Sequence, residues 1–173
     1  MIYRHYATPE AVARAVAEEA FVRPSREGWV HIAVSGGSTP RLLFELLASE
    51  PLASSVQWDR VHLYWVDERC VPPTDVESNY GMTEETLLRH VPIPEGQVHR
   101  IAGEKDPERE AKDYSWLVGS ELPFDDEYPI FDVVILGLGD DGHTSSIFPH
   151  QMELLETDQP YAVGVSPRGQ KRV

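Results

Sequence analysis

The chain has 173 residues, a length usual for one compact domain, and 41% of it is hydrophobic, which supplies a sizeable core and argues against disorder. Fifteen Lys and Arg face 29 Asp and Glu, a formal charge of -14 that disfavours a sequence-independent grip on nucleic-acid phosphates. The single cysteine, Cys70, rules out an internal disulfide, and no Cys pair or His-x-x-x-His spacing offers a zinc site.

No apolar run reaches the roughly 18 residues of a membrane helix. The opening MIYRHYATPEAVARAVAEEA lacks the basic-then-apolar order of a secretion signal, so a cytoplasmic protein with no membrane partner is expected.

In chain order, residues 9–21 read as an amphipathic helix: Thr8 supplies the cap, Pro9 the first turn, and Val12, Val16 and Ala20 follow at a spacing of four. Residues 29–34 (WVHIAV) read as a strand, and Pro40 opens a helix carrying Leu42, Leu43, Leu46 and Leu47. A second strand is expected over 61–66 (VHLYWV), and a third helix starts between Ser78 and Thr83 and runs toward His90. Asp106 and Pro107 repeat the cap-then-proline signal, with Ala111, Tyr114 and Leu117 or Val118 continuing a helical stripe. Residues 131–136 (FDVVIL) and 161–165 (YAVGV) complete the set of expected strands. None alternates as a half-exposed strand does, and the first three end at Gly, Ser or Asp. The pattern is α/β: a mostly parallel, Rossmann-like sheet buried on both faces by helices. With no internal repeat and only short Pro-rich stretches, residues 1–173 are expected to form one domain. No heptad or exposed helical stripe argues for association, so a monomer is expected.

Charge is distributed unevenly. The 104–132 segment holds ten acids against Lys105, Arg109 and Lys112, as a solvated helical face would. Residues 159–173 hold Arg168, Lys171 and Arg172 with no acid, a local positive subsite suited to an anionic ligand.

Three segments carry chemistry. The first strand is followed by Ser35-Gly36-Gly37-Ser38-Thr39-Pro40 at a helix start, where glycines admit a ligand close to the backbone and free N–H groups face outward. That suits a phosphate or carboxylate, although a tight turn with Ser38 or Thr39 as the cap fits equally. No Lys follows the glycines as in a Walker loop.

The second strand ends in Asp67-Glu68-Arg69, at the sheet edge where open α/β folds bind ligands. Arg69 either forks onto an anion or pairs with an acidic neighbour.

The third strand ends in Gly137-Leu138-Gly139-Asp140-Asp141-Gly142-His143-Thr144-Ser145-Ser146. Its formal G-x-G-x-x-G places two acids where backbone amides would meet a pyrophosphate, which argues against a dinucleotide. A metal held by Asp140, Asp141 and His143 lacks a nearby second His. Asp141 can instead fix the tautomer of His143, leaving its other nitrogen to take a proton from water; a His satisfied in a turn is the plain alternative.

Taken together, VSGGSTP (34–40), WVDERCVPPTDVESNYGM (65–82) and DVVILGLGDDGHTSSIFP (132–149) closely resemble the 6-phosphogluconolactonases. These belong with the glucosamine-6-phosphate deaminases in one family, and Arg69 after Asp-Glu and TSSIFP after His143 match the lactonase branch. The resemblance spans the whole chain and implies a phosphorylated sugar lactone as partner. The reaction it implies is hydrolysis of 6-phosphoglucono-1,5-lactone to 6-phosphogluconate, the second step of the oxidative pentose phosphate pathway, without cofactor or metal. It assigns His143 to activating water and Asp141 to orienting it. Gly36, Gly37 and Arg69 would meet the oxyanion, and Ser38, Thr39, Arg69, Arg168 and Arg172 the phosphate. Asp67 would position substrate or Arg69, with Gly139 in the same loop. Members of this family continue well beyond Val173, and 170–173 read as the start of a further strand, so the sheet is expected to lack its last strand and covering helix.

Overall fold

A computed structural model describes residues 2–125 and 128–173. Asp126 and Glu127, two acids of the 104–132 segment, lie outside the described residues.

The first helix starts where the sequence places it. Thr8 Oγ1 accepts from Ala11 N at 3.2 Å and Pro9 fills the first turn of α1 (Pro9–Val16). It outruns the expected end at residue 21, passing through a wider π-type turn, Ala17–Val22, into α2 (Arg23–Glu27). No glycine interrupts it before Gly28, whose N–H closes on Pro24 O. The buried stripe is Ala13, Ala17, Ala20 and Phe21, rotated from the Val12 and Val16 stripe, because small alanines let α1 lie close on the helix Ser38–Leu47.

The central sheet has four strands in the order Val98–His99, Val61–Trp65, Val30–Val34, Val133–Val134, all pairs parallel. In β1 (Val30–Val34), Val30, Ile32, Ala33 and Val34 are all buried, so both faces of this strand are covered and in-out alternation has no reason to appear. β2 (Val61–Trp65) pairs with β1 in register from Val30↔Val61 to Val34↔Trp65. A short edge strand, β3 (Val98–His99), adds on the far side of β2. The sequence reading missed it, because two residues between Pro94 and a polar turn carry no periodicity.

The expected strand over 131–136 contracts to β6 (Val133–Val134), with Asp132 N and Ile135 N extending the pairing to His31 O and Ala33 O. Its outer edge meets no strand among the described residues, and Val134 and Leu136 are 46% and 56% exposed.

Helices α3 (Ser38–Leu47), α5 (Asn79–Thr83, continuing as a π-type turn Glu84–Leu88) and α6 (Pro107–Glu121) follow the expected order, and a one-turn helix that the sequence pattern did not predict, α4 (Leu52–Ser55), lies between α3 and β2. Asp106 Oδ1 caps α6 by accepting from Arg109 N at 3.0 Å. Tyr114 ties that helix to the sheet: its hydroxyl donates to His99 O at 2.7 Å and accepts from Trp65 N at 3.1 Å. On the sheet, His31, His62 and His99 lie on neighbouring strands. His62 Nδ1 sits 3.1 Å from His99 Nε2, and His99 stacks on Tyr64 at 4.3 Å.

One expectation is overturned. Residues 161–165 do not join the parallel sheet. Tyr161 is held by its hydroxyl donating to Trp65 O at 2.8 Å and by an edge-on contact with Tyr114. A small hairpin, Phe124–Asp125 (β4) with Tyr128–Pro129 (β5), follows α6. Gly164–Val165 (β7) then pairs antiparallel with Lys171–Arg172 (β8) around Gly169, whose φ of 82° needs a glycine. Within the expected strand over 170–173, Lys171–Arg172 is extended, but as a partner of β7. Val173 and Glu68 exchange both backbone bonds, which lays β8 along the segment after β2.

Candidate active site

The carboxyl ends of β1, β2 and β6 open into a cavity of about 250 Å³. Its wall is built from Ser35, Gly36, Gly37, Ser38, Thr39, Asp67, Arg69, Gly139, His143 and Arg172, together with Pro40, Gly137, Leu138 and Ser145. Three loops distant in sequence meet here because parallel strands deliver their carboxyl ends to one edge.

The first wall is the glycine loop. Helix α3 begins at Ser38, two residues earlier than Pro40 suggested, with Gly37 at the cap position in a φ of 109° that only glycine adopts easily. Neither Ser38 nor Thr39 caps the helix with its side chain, so both hydroxyls and the first-turn N–H groups stay available. Gly36 is required for a different reason: a Cβ there would sit 1.7 Å from Asn79 Oδ1.

The second wall is the segment after β2. Asp67 is 4% exposed; its Oδ2 accepts from Ser146 Oγ at 2.5 Å and its Oδ1 from Asn79 Nδ2 at 3.3 Å. Glu68 is also buried, and its carboxylate accepts from the backbone N–H groups of Arg69, Asn79 and Tyr80 and from Ser78 Oγ. Burial pushes that carboxyl up, against the opposing effect of these donors. Neither acid pairs with the Arg69 guanidinium, so the ion-pair alternative for Arg69 does not hold. Arg69 Nη1 donates to Glu77 O at 2.6 Å, while its buried Nε has no partner.

Arg172 comes alongside through the backbone bridge between Arg69 and Arg172. Its guanidinium lies over the Phe148 ring at 5.3 Å, its Nε is likewise buried without a partner, and burial, followed by the Arg69 charge, lowers its pKa. Two adjacent guanidiniums with unused donors in a chain of charge -14 have the charge and geometry to take an anion.

The third wall is the loop after β6. His143 Nδ1 lies 2.5 Å from Asp141 Oδ1. A carboxylate only accepts, so Nδ1 carries the proton and Nε2 is left as the basic nitrogen. The same bond holds the exposed Asp141 carboxyl below its ordinary pKa. Gly139 is obligatory, since a Cβ would come within 2.3 Å of the imidazole. Ser145, at φ 52°, reaches back to Val66 O at 3.1 Å and pins the loop to the end of β2.

Two predicted residues stand apart. Asp141 and Arg168 line an adjoining depression of about 430 Å³ on the other side of His143 and Arg172, where Asp141 supports the imidazole from outside the cavity. Sequence reasoning missed Asn79, Ser146 and Phe148. All three lie inside the motif segments, but their roles depend on loops that meet only in the fold. A larger open groove of about 580 Å³ runs along β6; its charged lining residues, Arg4 and Glu19, pair with each other, and it holds none of the motif residues.

The family model described as glucosamine-6-phosphate isomerases/6-phosphogluconolactonase matches residues 5–173. The chain belongs to this family. It is 42% identical over 151 residues to a 6-phosphogluconolactonase of Haemophilus influenzae, covering 87% of this chain and 63% of that protein. A crystal structure of a devB protein superposes with a TM-score of 0.94 at 39% identity, over 98% of this chain and 71% of the other. The 6-phosphogluconolactonase of Trypanosoma brucei gives 0.83 at 31% identity, over 98% and 73%. The chain therefore spans less than two thirds of the length of the curated Haemophilus relative. Among the described residues no helix is long and apolar enough to cross a membrane.

Proposed function

We propose that this chain hydrolyses 6-phosphoglucono-1,5-lactone to 6-phosphogluconate, in the cytoplasm. The observation that carries the reading is His143, on the wall of a cavity that also presents the Gly36-Gly37 loop and the Arg69 and Arg172 guanidiniums, with Asp141 Oδ1 2.5 Å from its Nδ1 on the side away from the cavity. A lactone is an activated ester, so a positioned water and one base suffice without a covalent nucleophile. His143 Nε2 takes a proton from water as its oxygen bonds to the lactone carbonyl carbon. The carbonyl oxygen becomes an oxyanion met by backbone N–H groups near Gly36 and Gly37 or by Arg69. Collapse breaks the bond to the ring oxygen, which takes the proton back from the imidazolium. Ser38, Thr39, Arg69 and Arg172, which line the same cavity, hold the phosphate, each charge-assisted bond contributing about 1.5 to 3 kcal/mol. The names of the relatives support the same reading.

The test follows lactone disappearance at neutral pH for this chain, its His143→Asn variant and buffer. The wild-type chain is expected to exceed the spontaneous rate, and the variant to lose about 10² to 10⁴ of that acceleration. A folded chain with no acceleration would overturn the reading.

A further inference from the structure

Asn79 opens α5 ten residues after Arg69, carries none of the proposed chemistry itself, and touches both the end of β2 and the glycine loop. Its backbone N–H is fixed by the buried Glu68 carboxylate at 2.7 Å, and the residue is 2% exposed. From that position Nδ2 donates to Asp67 O at 2.9 Å and faces Asp67 Oδ1 at 3.3 Å. Its Oδ1 occupies the space that a side chain at residue 36 would need. Asp67 in turn receives Ser146 Oγ from the loop that carries His143. The carboxamide is thus a crosspiece between the glycine loop, the end of β2 and, through Asp67, the 140s loop.

We propose that Asn79 is a positioning residue of the cleft, its carboxamide donating to Asp67 while its bulk sets the Gly36-Gly37 loop, so that three separate strand-end loops hold one geometry toward substrate. The assignment rests on the lactone-hydrolysis reading above. It distinguishes donation from space-filling, because Asn and Asp have the same shape and differ in the donor. In Asn79→Asp two carboxyl groups face each other, and they cannot both stay ionised at close range without repulsion. A single proton shared between them restores the donor.

The experiment compares kcat and KM of wild type, Asn79→Asp and Asn79→Ala on 6-phosphogluconolactone from pH 5.5 to 8, with thermal melts as the folding control. At pH 8 Asn79→Asp is expected to lose at least about 30-fold in kcat/KM, mostly in kcat, and to recover about 10-fold relative to wild type at pH 5.5. Asn79→Ala is expected to lose kcat without recovering at low pH. An aspartate variant that matches wild type throughout would overturn the proposal, leaving Asn79 a space-filling residue. Should the aspartate variant not fold, an unchanged kcat in Asn79→Ala overturns it and a fall mainly in kcat supports it.

Calorimetric binding of 6-phosphogluconate to the same three proteins separates the two claims. If the wild-type chain binds but does not accelerate hydrolysis, the lactonase reading fails. The positioning role then stands on a pH-reversible loss of affinity in Asn79→Asp and falls if affinity is unchanged. A wild-type chain that neither binds nor turns over overturns both.

Discussion

Asp141 and His143 are two positions apart, and that spacing lets a carboxylate reach the near nitrogen of an imidazole whose far nitrogen stays free. The pair could be read from the sequence because the contact is local. Gly36 could be read only in part. Its value as a close-approach residue at a ligand loop was visible, but the atom that forbids a side chain there belongs to Asn79, which is brought near only by the pairing of β1 with β2. A methyl group at 1.7 Å from Asn79 Oδ1 has to displace either the carboxamide or the loop. Gly36→Ala is therefore expected to lower kcat/KM by at least about tenfold and to cost about 1 to 3 kcal/mol, as overpacking does. Steady-state kinetics beside a denaturant titration checks both; wild-type values in each would show that the contact relaxes freely.

At the scale of elements, the features written in neighbouring residues were legible and those set by distant partners were not. Thr8 and Asp106 each announce a helix because a side-chain oxygen and a proline satisfy the same first turn. Asp106→Ala removes the acceptor for Arg109 N and is expected to cost about 1 kcal/mol. For a chain of this size that lowers Tm by roughly 2 to 4 °C, readable by calorimetry; no change would mean that water replaces the cap fully. By contrast, Tyr161 begins an apolar run that resembles a core strand, and its fate is decided by Trp65 O and Tyr114, contacts that no local pattern encodes. β3 escaped for the opposite reason, since two residues bonded to β2 are too few to show a period.

For the molecule as a whole, the row of His31, His62 and His99 across three strands ties stability to pH. Burial lowers the pKa of all three, that of His99 to about 4, with Glu121 and Asp132 opposing the shift. Folded imidazoles that resist protonation leave the unfolded chain with more bound protons below the ordinary histidine value of about 6.5. Their contribution is complete above that value and is lost as pH falls from there toward 4. Thermal melts from pH 8 to pH 5 are expected to show a falling Tm in that window, with a shallower fall in His99→Gln. A Tm independent of pH would exclude the row as a determinant.

The sheet also has a temporal order. β1 meets β2 across 31 positions, Val30 to Val61, but meets the strand that carries the Asp141–His143 loop only across 101, as the bond from His31 N to Asp132 Oδ2 records. Closing a longer loop costs more chain entropy, and distant parallel pairing slows folding. During synthesis at about 5 to 20 residues per second, the ribosome needs roughly five to twenty seconds to make the intervening chain. For that interval one edge of β1 stands open; Asp141 and His143 arrive at its end, and Arg172, which also lines the cleft, arrives later still.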